Sequence, residues 1–310
     1  MSDAPRTVPA HETRLISSDA ATLWARRDGT PGQPAVLLIA GANACHLMWP
    51  DEFCQQLLDQ GFSVIRYDQR DTGRSSRFAF EDRPYTVTTL AEDAVAVLDG
   101  FGIERAHVVG LSMGGTLVQV ALIDHPERWL SATIMLTAAL DVDFAGNLAR
   151  VYDGRPEPMG LPLPRKEVLD LLGQARSENP SMAQELDRRV AEWLALSGRL
   201  ADVDAAEFRE WEARAIAHAG TVARPANHGL AQPVALSRGA ELAQVEVPVL
   251  VIQGGEDPLN PPPHGRHLAS LLANARLLEV PELGHSLPGS LHERLVAAIS
   301  AHMHGSKPTP

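Results

Sequence analysis

The stretch Val108-Val109-Gly110-Leu111-Ser112-Met113-Gly114-Gly115 constrains this chain more than any other. It sets a serine between two glycines, after an apolar run and before a segment of helical apolar spacing. In a G-x-S-x-G arrangement the serine sits on a sharp turn between strand and helix, and the glycines leave room for that turn. The plainer reading makes Ser112 an ordinary helix N-cap, its hydroxyl accepting from a first-turn N–H. The nucleophile reading obliges the rest of the chain to supply a base, an orienting acid and an oxyanion site.

The flanking sequence sets the fold class. Short apolar runs recur at Val36–Ala40, Val64–Tyr67, His107–Val109, Thr133–Leu136, Val249–Ile252 and Leu277–Val280, several of them bounded by Gly or Pro. Runs of this length suit strands buried on both faces. Helical patterns lie between them at Asp51–Gln60, Leu90–Leu98 and Thr116–Asp124. The alternation predicts an α/β fold, a mostly parallel sheet with helices on both faces. Thr13–Ile16 and Thr22–Arg26 read as an edge hairpin around Ser17-Ser18-Asp19. From about Leu140 to Arg238 no strand run is found. Helical segments at Lys166–Arg176, Ser181–Leu196 and Ala205–Ala219 appear instead, separated by Pro-rich links. The expected organisation is a core in two parts, residues 1–139 and 239–310, with a helical lid inserted at 140–238.

Composition narrows the function classes. Lys and Arg number 27 against 39 Asp and Glu, a net charge of -12, and no basic run offers a patch for nucleic acid. Two cysteines, Cys45 and Cys54, in no metal-type spacing, imply neither a disulfide framework nor a metal site, and a reducing cytoplasm is the default expectation. The first ten residues lack the apolar core of a signal peptide, and no apolar run approaches the ~18 residues of a membrane span. The tail after His302 reads as a frayed end. The sequence leaves the oligomeric state open.

A serine hydroxyl needs an adjacent base to become a nucleophile at neutral pH. Of 12 histidines, His285 stands out because P-E-L-G-H-S follows the last strand run, and catalytic groups gather at the C-terminal ends of parallel strands. His107 lies within a strand run and reads as a packing residue; His264, His267, His292 and His302 read as surface residues. The acid is expected after the preceding strand, at Asp257 in Q-G-G-E-D-P, with Glu256 its neighbour in competition and Asp141 and Asp143 as rivals one strand earlier. The oxyanion donors are expected to be the backbone N–H groups of Met113 and of Ala42, in the loop after the first buried strand. Gly41, Asn43, Cys45, His46 and Trp49, with Met48, are candidates to border the pocket. In Y-D-Q-R-D-T-G-R-S, Asp68 and Arg70 are read as tying a tight loop through charge-assisted hydrogen bonds, with Gly73 permitting the turn. Trp193, Phe208 and Trp211 have helical spacing and read as packing residues first.

Taken together, A-G-A, D-Q-R-D-T-G-R-S, G-L-S-M-G-G, G-G-E-D-P and G-H resemble the α/β-hydrolase superfamily over most of the chain. Within it, W-P-D-E-F, R-Y-D-Q-R-D-T-G-R-S, A-E-D-A-V-A-V-L-D-G, A-H-V-V-G-L-S-M-G and P-H-G-R-H-L-A resemble the aclacinomycin-type methylesterases of anthracycline biosynthesis. The resemblance implies hydrolysis of a methyl ester on a polycyclic aromatic polyketide by a Ser-Asp-His triad under a helical lid, without a cofactor. It carries Ser112, Asp257 and His285 to catalytic roles and Ala42 and Met113 to the oxyanion hole. One departure is that Ala42 stands where those enzymes have glycine, which places a Cβ at the acyl pocket. The expected activity is a serine carboxylesterase acting on a small hydrophobic ester. The same triad also serves perhydrolases, lactonases, C–C hydrolases and acyltransferases, and some hydrolase folds act as slow-turnover receptors.

Overall fold

The computed structural model describes residues 11–174, 180–224 and 226–306. Eight strands form one sheet in the order β1-β2-β4-β3-β5-β6-β7-β8. They are β1 (His11–Ser18), β2 (Ala21–Asp28), β3 (Ala35–Ile39), β4 (Ser63–Tyr67), β5 (Ala106–Leu111), β6 (Trp129–Met135), β7 (Val249–Gly254) and β8 (Ala275–Val280). β1 and β2 pair antiparallel, β2 runs antiparallel to β4, and the six strands from β4 to β8 are parallel.

The continuous apolar runs follow from burial on both faces. In β3, Leu37 and Ile39 belong to one core cluster and Val36 and Leu38 to the other, because successive side chains point to opposite faces. On one face lie α2 (Val87–Gly100), α3 (Met113–Asp124) and α8 (His264–Leu271), and on the other α1 (Asp51–Asp59) and α9 (His292–Gly305). Between β6 and β7 come α4 (Phe144–Asp153), α5 (Lys166–Leu172), α6 (Met182–Leu196) and α7 (Ala205–Ala219), followed by two 3₁₀ segments. Among the described residues of this stretch the sole β pairing is an isolated bridge from Gln232 to Thr86. Local chemistry sets its helix ends. Ser181 and Gln184 form a capping box at α6, Asp204 caps α7, and α7 stops at Gly220 in the left-handed region.

Several sequence expectations need correcting. α5 ends at Leu172, and Ala175 and Arg176, read as helix, lie outside the described residues. α9 continues through Met303 and His304, read as a frayed tail, because Met303 is 1% exposed and anchors the last turn; residues 1–10 and 307–310 lie outside the described residues. β6 starts earlier, at Trp129, and ends before Leu136. The hairpin turns at Asp19-Ala20, one residue later than read. His264, His292 and His302 are buried, not on the surface. Each imidazole satisfies its Nε2 on a carbonyl, of Pro162, Leu287 and Ala132 respectively, and helical spacing says nothing of such partners. His267 is half-buried against Asp141. Among the described residues no helix is long and apolar enough to cross a membrane.

Candidate active site

Ser112 sits between β5 and α3 with φ 57° and ψ -121°. A non-glycine residue there stores about 1–3 kcal/mol of strain, which the surroundings must hold in place. The glycines show how. A Cβ on Gly110 would lie 2.2 Å from the Gly114 carbonyl oxygen, and one on Gly114 would lie 2.3 Å from that of Ile39. The elbow closes only because neither side chain exists. Although Ser112 occupies the N-cap position of α3, its hydroxyl makes no capping bond. Its Oγ lies instead 2.9 Å from His285 Nε2.

His285 follows β8 on a loop clamped by the end of α6. Its N–H donates to the Leu196 carbonyl at 2.6 Å, and a Cβ on Gly284 would strike the Ser197 backbone at 2.2 Å. The other ring nitrogen, Nδ1, lies 3.0 Å from both oxygens of Asp257, which is fully buried after β7. The N–H groups of Leu259 and Asn260 donate to Asp257 Oδ1 at 2.8 and 2.9 Å. The rival acids are engaged elsewhere. Asp141 faces His267 Nε2 at 3.0 Å, Asp143 caps α4, and Glu256 turns toward Arg165 and the Arg199 N–H.

The loop after β3 lies against this pair, since a Cβ on Gly41 would come 3.4 Å from Ser112 Cβ. Its N–H groups find different acceptors. Gly41 donates to Met48 Sδ at 3.0 Å, Asn43 to His228 Nδ1 at 2.8 Å, and Ala44 to the Gly41 carbonyl at 3.4 Å. Of the four from Gly41 to Ala44, only the Ala42 N–H has no partner among the described residues. Gln69 Nε2 holds the loop from beneath, donating to the Ala40 and Gly41 carbonyls at 2.9 and 3.2 Å. Met113 opens α3, where first-turn N–H groups have no helical acceptor.

Asn43 and Cys45, with Ala44 and Met48, border a cavity of about 50 Å³ whose other wall is Trp193, Trp211, Arg189 and Glu212 from α6 and α7. Glu212 accepts from Trp193 Nε1 at 2.6 Å and Arg189 Nη1 at 2.9 Å. Trp193 and Phe208 are buried, and the three aromatic rings pack together. His46 and Trp49 do not line this cavity. Trp49 is fully buried against Phe53, and His46 is buried in a ring cluster with Trp24 and His218. A roomier cavity of about 440 Å³, walled by Arg27, Phe101 and His304, lies at the N-terminal ends of the parallel strands. Ligands of open α/β sheets gather at the opposite ends.

Cys45, His46 and Asp68 offer three metal-type donor atoms within 4.8 Å of one another. Hydrogen bonds already occupy two of the three, His46 and Asp68. Asp68 accepts from the His46 and Arg74 N–H groups at 2.9 and 2.8 Å, and meets His46 Nδ1 at 2.8 Å and His218 Nε2 at 2.7 Å. Burial alone would raise the Asp68 carboxyl, but the bonds from His218 and His46 hold it below the usual range. Burial, with the nearby Asp68 charge, pushes the Cys45 thiol up to about 12. Arg70 binds Asp93 through two bonds of 2.7 Å, and a Cβ on Gly73 would strike the Asp68 carboxylate at 2.1 Å. The charged loop is thus a scaffold tied to its neighbours, with Asp68 held by His46 and His218 and Arg70 by Asp93. Two residues that hold the loop after β3, Gln69 and His228, carry no signal in the sequence. Gln69 was hidden among charges, and no local pattern marks His228.

A family profile described as alpha/beta hydrolase fold matches residues 34–288. The chain is 47% identical over 290 residues to the rhodomycin D methylesterase of Streptomyces peucetius, covering 94% of this chain and 97% of that protein. It is 46% identical, with the same coverage, to the rhodomycin D methylesterase of Streptomyces sp. (strain C5). Among solved structures, a hydrolase from Pseudomonas aeruginosa PA01 superposes with a TM-score of 0.65 at 25% identity, covering 98% of this chain and 99% of that one.

Proposed function

Because this chain belongs to the alpha/beta hydrolase fold family, we propose that it is a serine carboxylesterase that hydrolyses the methyl ester of a polycyclic aromatic polyketide. The observation that carries the reaction type is the continuous contact from Ser112 Oγ through His285 to Asp257. The relatives' printed activity supports the substrate class.

In this reading His285 Nε2 takes the Ser112 proton as Oγ attacks the ester carbonyl, and the Asp257 carboxylate stabilises the resulting imidazolium. The N–H groups of Ala42 and Met113 receive the oxyanion, where preorganised donors matter most. His285 then protonates the departing methoxide, which leaves as methanol. A water molecule attacks the acyl-enzyme with His285 as base, releasing the carboxylic acid and restoring Ser112. The Ala42 methyl narrows the acyl side relative to glycine. The helices between β6 and β7 act as a lid, with Trp193 and Trp211 facing the loop after β3.

Hydrolysis of p-nitrophenyl esters and of a panel of aromatic polyketide methyl esters by wild type and Ser112→Ala, together with fluorophosphonate labelling read by intact mass, tests this. Wild type should label once and release acid and methanol, and the variant should do neither. An unlabelled, inactive wild type would sink the serine mechanism. Activity on simple esters without any on polyketide methyl esters would sink the substrate class alone.

A further inference from the structure

His228 lies on the return segment after α7, far in sequence from the loop it touches. Its Nδ1 accepts from the Asn43 N–H at 2.8 Å, and its Nε2 lies 2.8 Å from the Arg70 carbonyl oxygen. A backbone N–H can only donate and a carbonyl oxygen can only accept. Of the three protonation forms of imidazole, one satisfies both partners: neutral, with the proton on Nε2. The Arg70 end is anchored by its two bonds to Asp93. The ring is 5% exposed. The far end holds Asn43, a non-glycine residue at φ 60° directly after Ala42.

The two peptides flanking Ala42 are therefore both clamped. Gln69 holds the one before it, through the Gly41 carbonyl, and His228 holds the one after it, through the Asn43 N–H. We propose that His228 is a positioning residue for ester hydrolysis, whose unprotonated Nδ1 fixes the Ala42–Asn43 turn so that the Ala42 N–H stays aimed at the oxyanion beside Ser112. The proposal rests on the esterase reading and on Ala42 as a donor within it. The groups around the ring suit a neutral imidazole. Burial disfavours its charged form and outweighs the Arg70 carbonyl bond and the Asp71 charge, while the Arg70 charge adds to the lowering. Asp71 is itself bonded to the Tyr85 hydroxyl and the Phe78 N–H, and the Tyr85 ring stands edge-on to His228.

The test compares His228→Leu with His228→Gln in p-nitrophenyl ester hydrolysis. Displacing a catalytic donor by a fraction of an ångström to one ångström costs up to about 100-fold, so H228L should lose about 10- to 100-fold in kcat with KM within about 3-fold. H228Q should recover most of it, since a carboxamide oxygen can accept from Asn43 while its nitrogen donates to Arg70. Nitrogen-15 histidine spectra of wild type, with the His228 signals assigned by their loss in H228Q, should show Nδ1 unprotonated and Nε2 protonated from pH 6 to 8. A wild-type kcat in H228L, a loss in H228Q as large as in H228L, or a proton on Nδ1 would each overturn the role. If H228L does not fold, H228Q kinetics and the tautomer decide. A wild type that never turns over, yet shows the expected tautomer, overturns the esterase reading and the role with it. Turnover indifferent to H228L overturns the role alone.

Discussion

Asp257 presents both carboxylate oxygens to His285 Nδ1 at 3.0 Å, while two backbone N–H groups hold its Oδ1. Asp257→Asn keeps an acceptor for those N–H groups, so the amide oxygen takes the Oδ1 place and the NH₂ turns toward the imidazole. A donor then meets Nδ1 and selects the wrong tautomer. We expect kcat to fall about 10⁴-fold with the fold intact. Steady-state kinetics beside circular dichroism check this, and an activity within tenfold of wild type would remove Asp257 from the mechanism.

Gly114→Ala should cost about 3 kcal/mol or more of stability, because its Cβ would press on the β3 backbone and not on a movable side chain. Gly102→Ala is the control for position, since nothing lies within 4 Å of its Cβ site and only the positive φ of 67° is strained. Urea denaturation of both variants gives the comparison. Equal losses would mean that the elbow is not sterically closed.

His107 makes stability fall with acid. Burial, reinforced by His302 and His304 nearby, lowers its folded-state pKa from 6.5 to about 4. The unfolded chain therefore takes the proton first. The contribution is complete above about pH 6.5 and is lost progressively as pH drops toward 4, on the order of 3 kcal/mol in all. Urea midpoints at pH 7.5 and 5 should show the drop, and His107→Asn, which can keep a polar contact to Ser131, should show a smaller one. Parallel slopes for the two proteins would assign the acid sensitivity to other groups.

Cys45 and Cys54 should resist alkylation in the native enzyme. Burial pushes both thiols up to about 12, so the reactive thiolate is scarce at pH 8. Iodoacetamide with mass readout should add nothing to native protein and two groups in denaturant. Rapid native labelling of Cys45 would show that the loop after Ala42 opens to solvent.

Much of this architecture was legible in the chain because it is locally encoded. The strand cores are short apolar runs buried on both faces, and the elbow is written in Gly110 and Gly114, whose missing side chains the turn requires. Ser112 and His285 were singled out by their places at strand ends, and the structure brings them within 2.9 Å of each other. The acid was harder to choose. Asp257, Glu256, Asp141 and Asp143 share the same local chemistry, and only the packing of the loops after β6 and β7 turns Asp141 to His267 and leaves Asp257 facing His285.

The sequence by itself determined the layered α/β fold and the glycine-flanked elbow at Ser112, since alternation of apolar runs and backbone sterics act over a few residues. The tertiary structure alone decided which polar groups meet. His228 reaches Asn43 across 185 residues, and Gln69 reaches Gly41 across 28. His264, His292 and His302 sit inside because carbonyl oxygens happen to face them there. Hydrogen-bond partners are selected by position in space once the sheet order is set, and no local pattern along the chain records that choice.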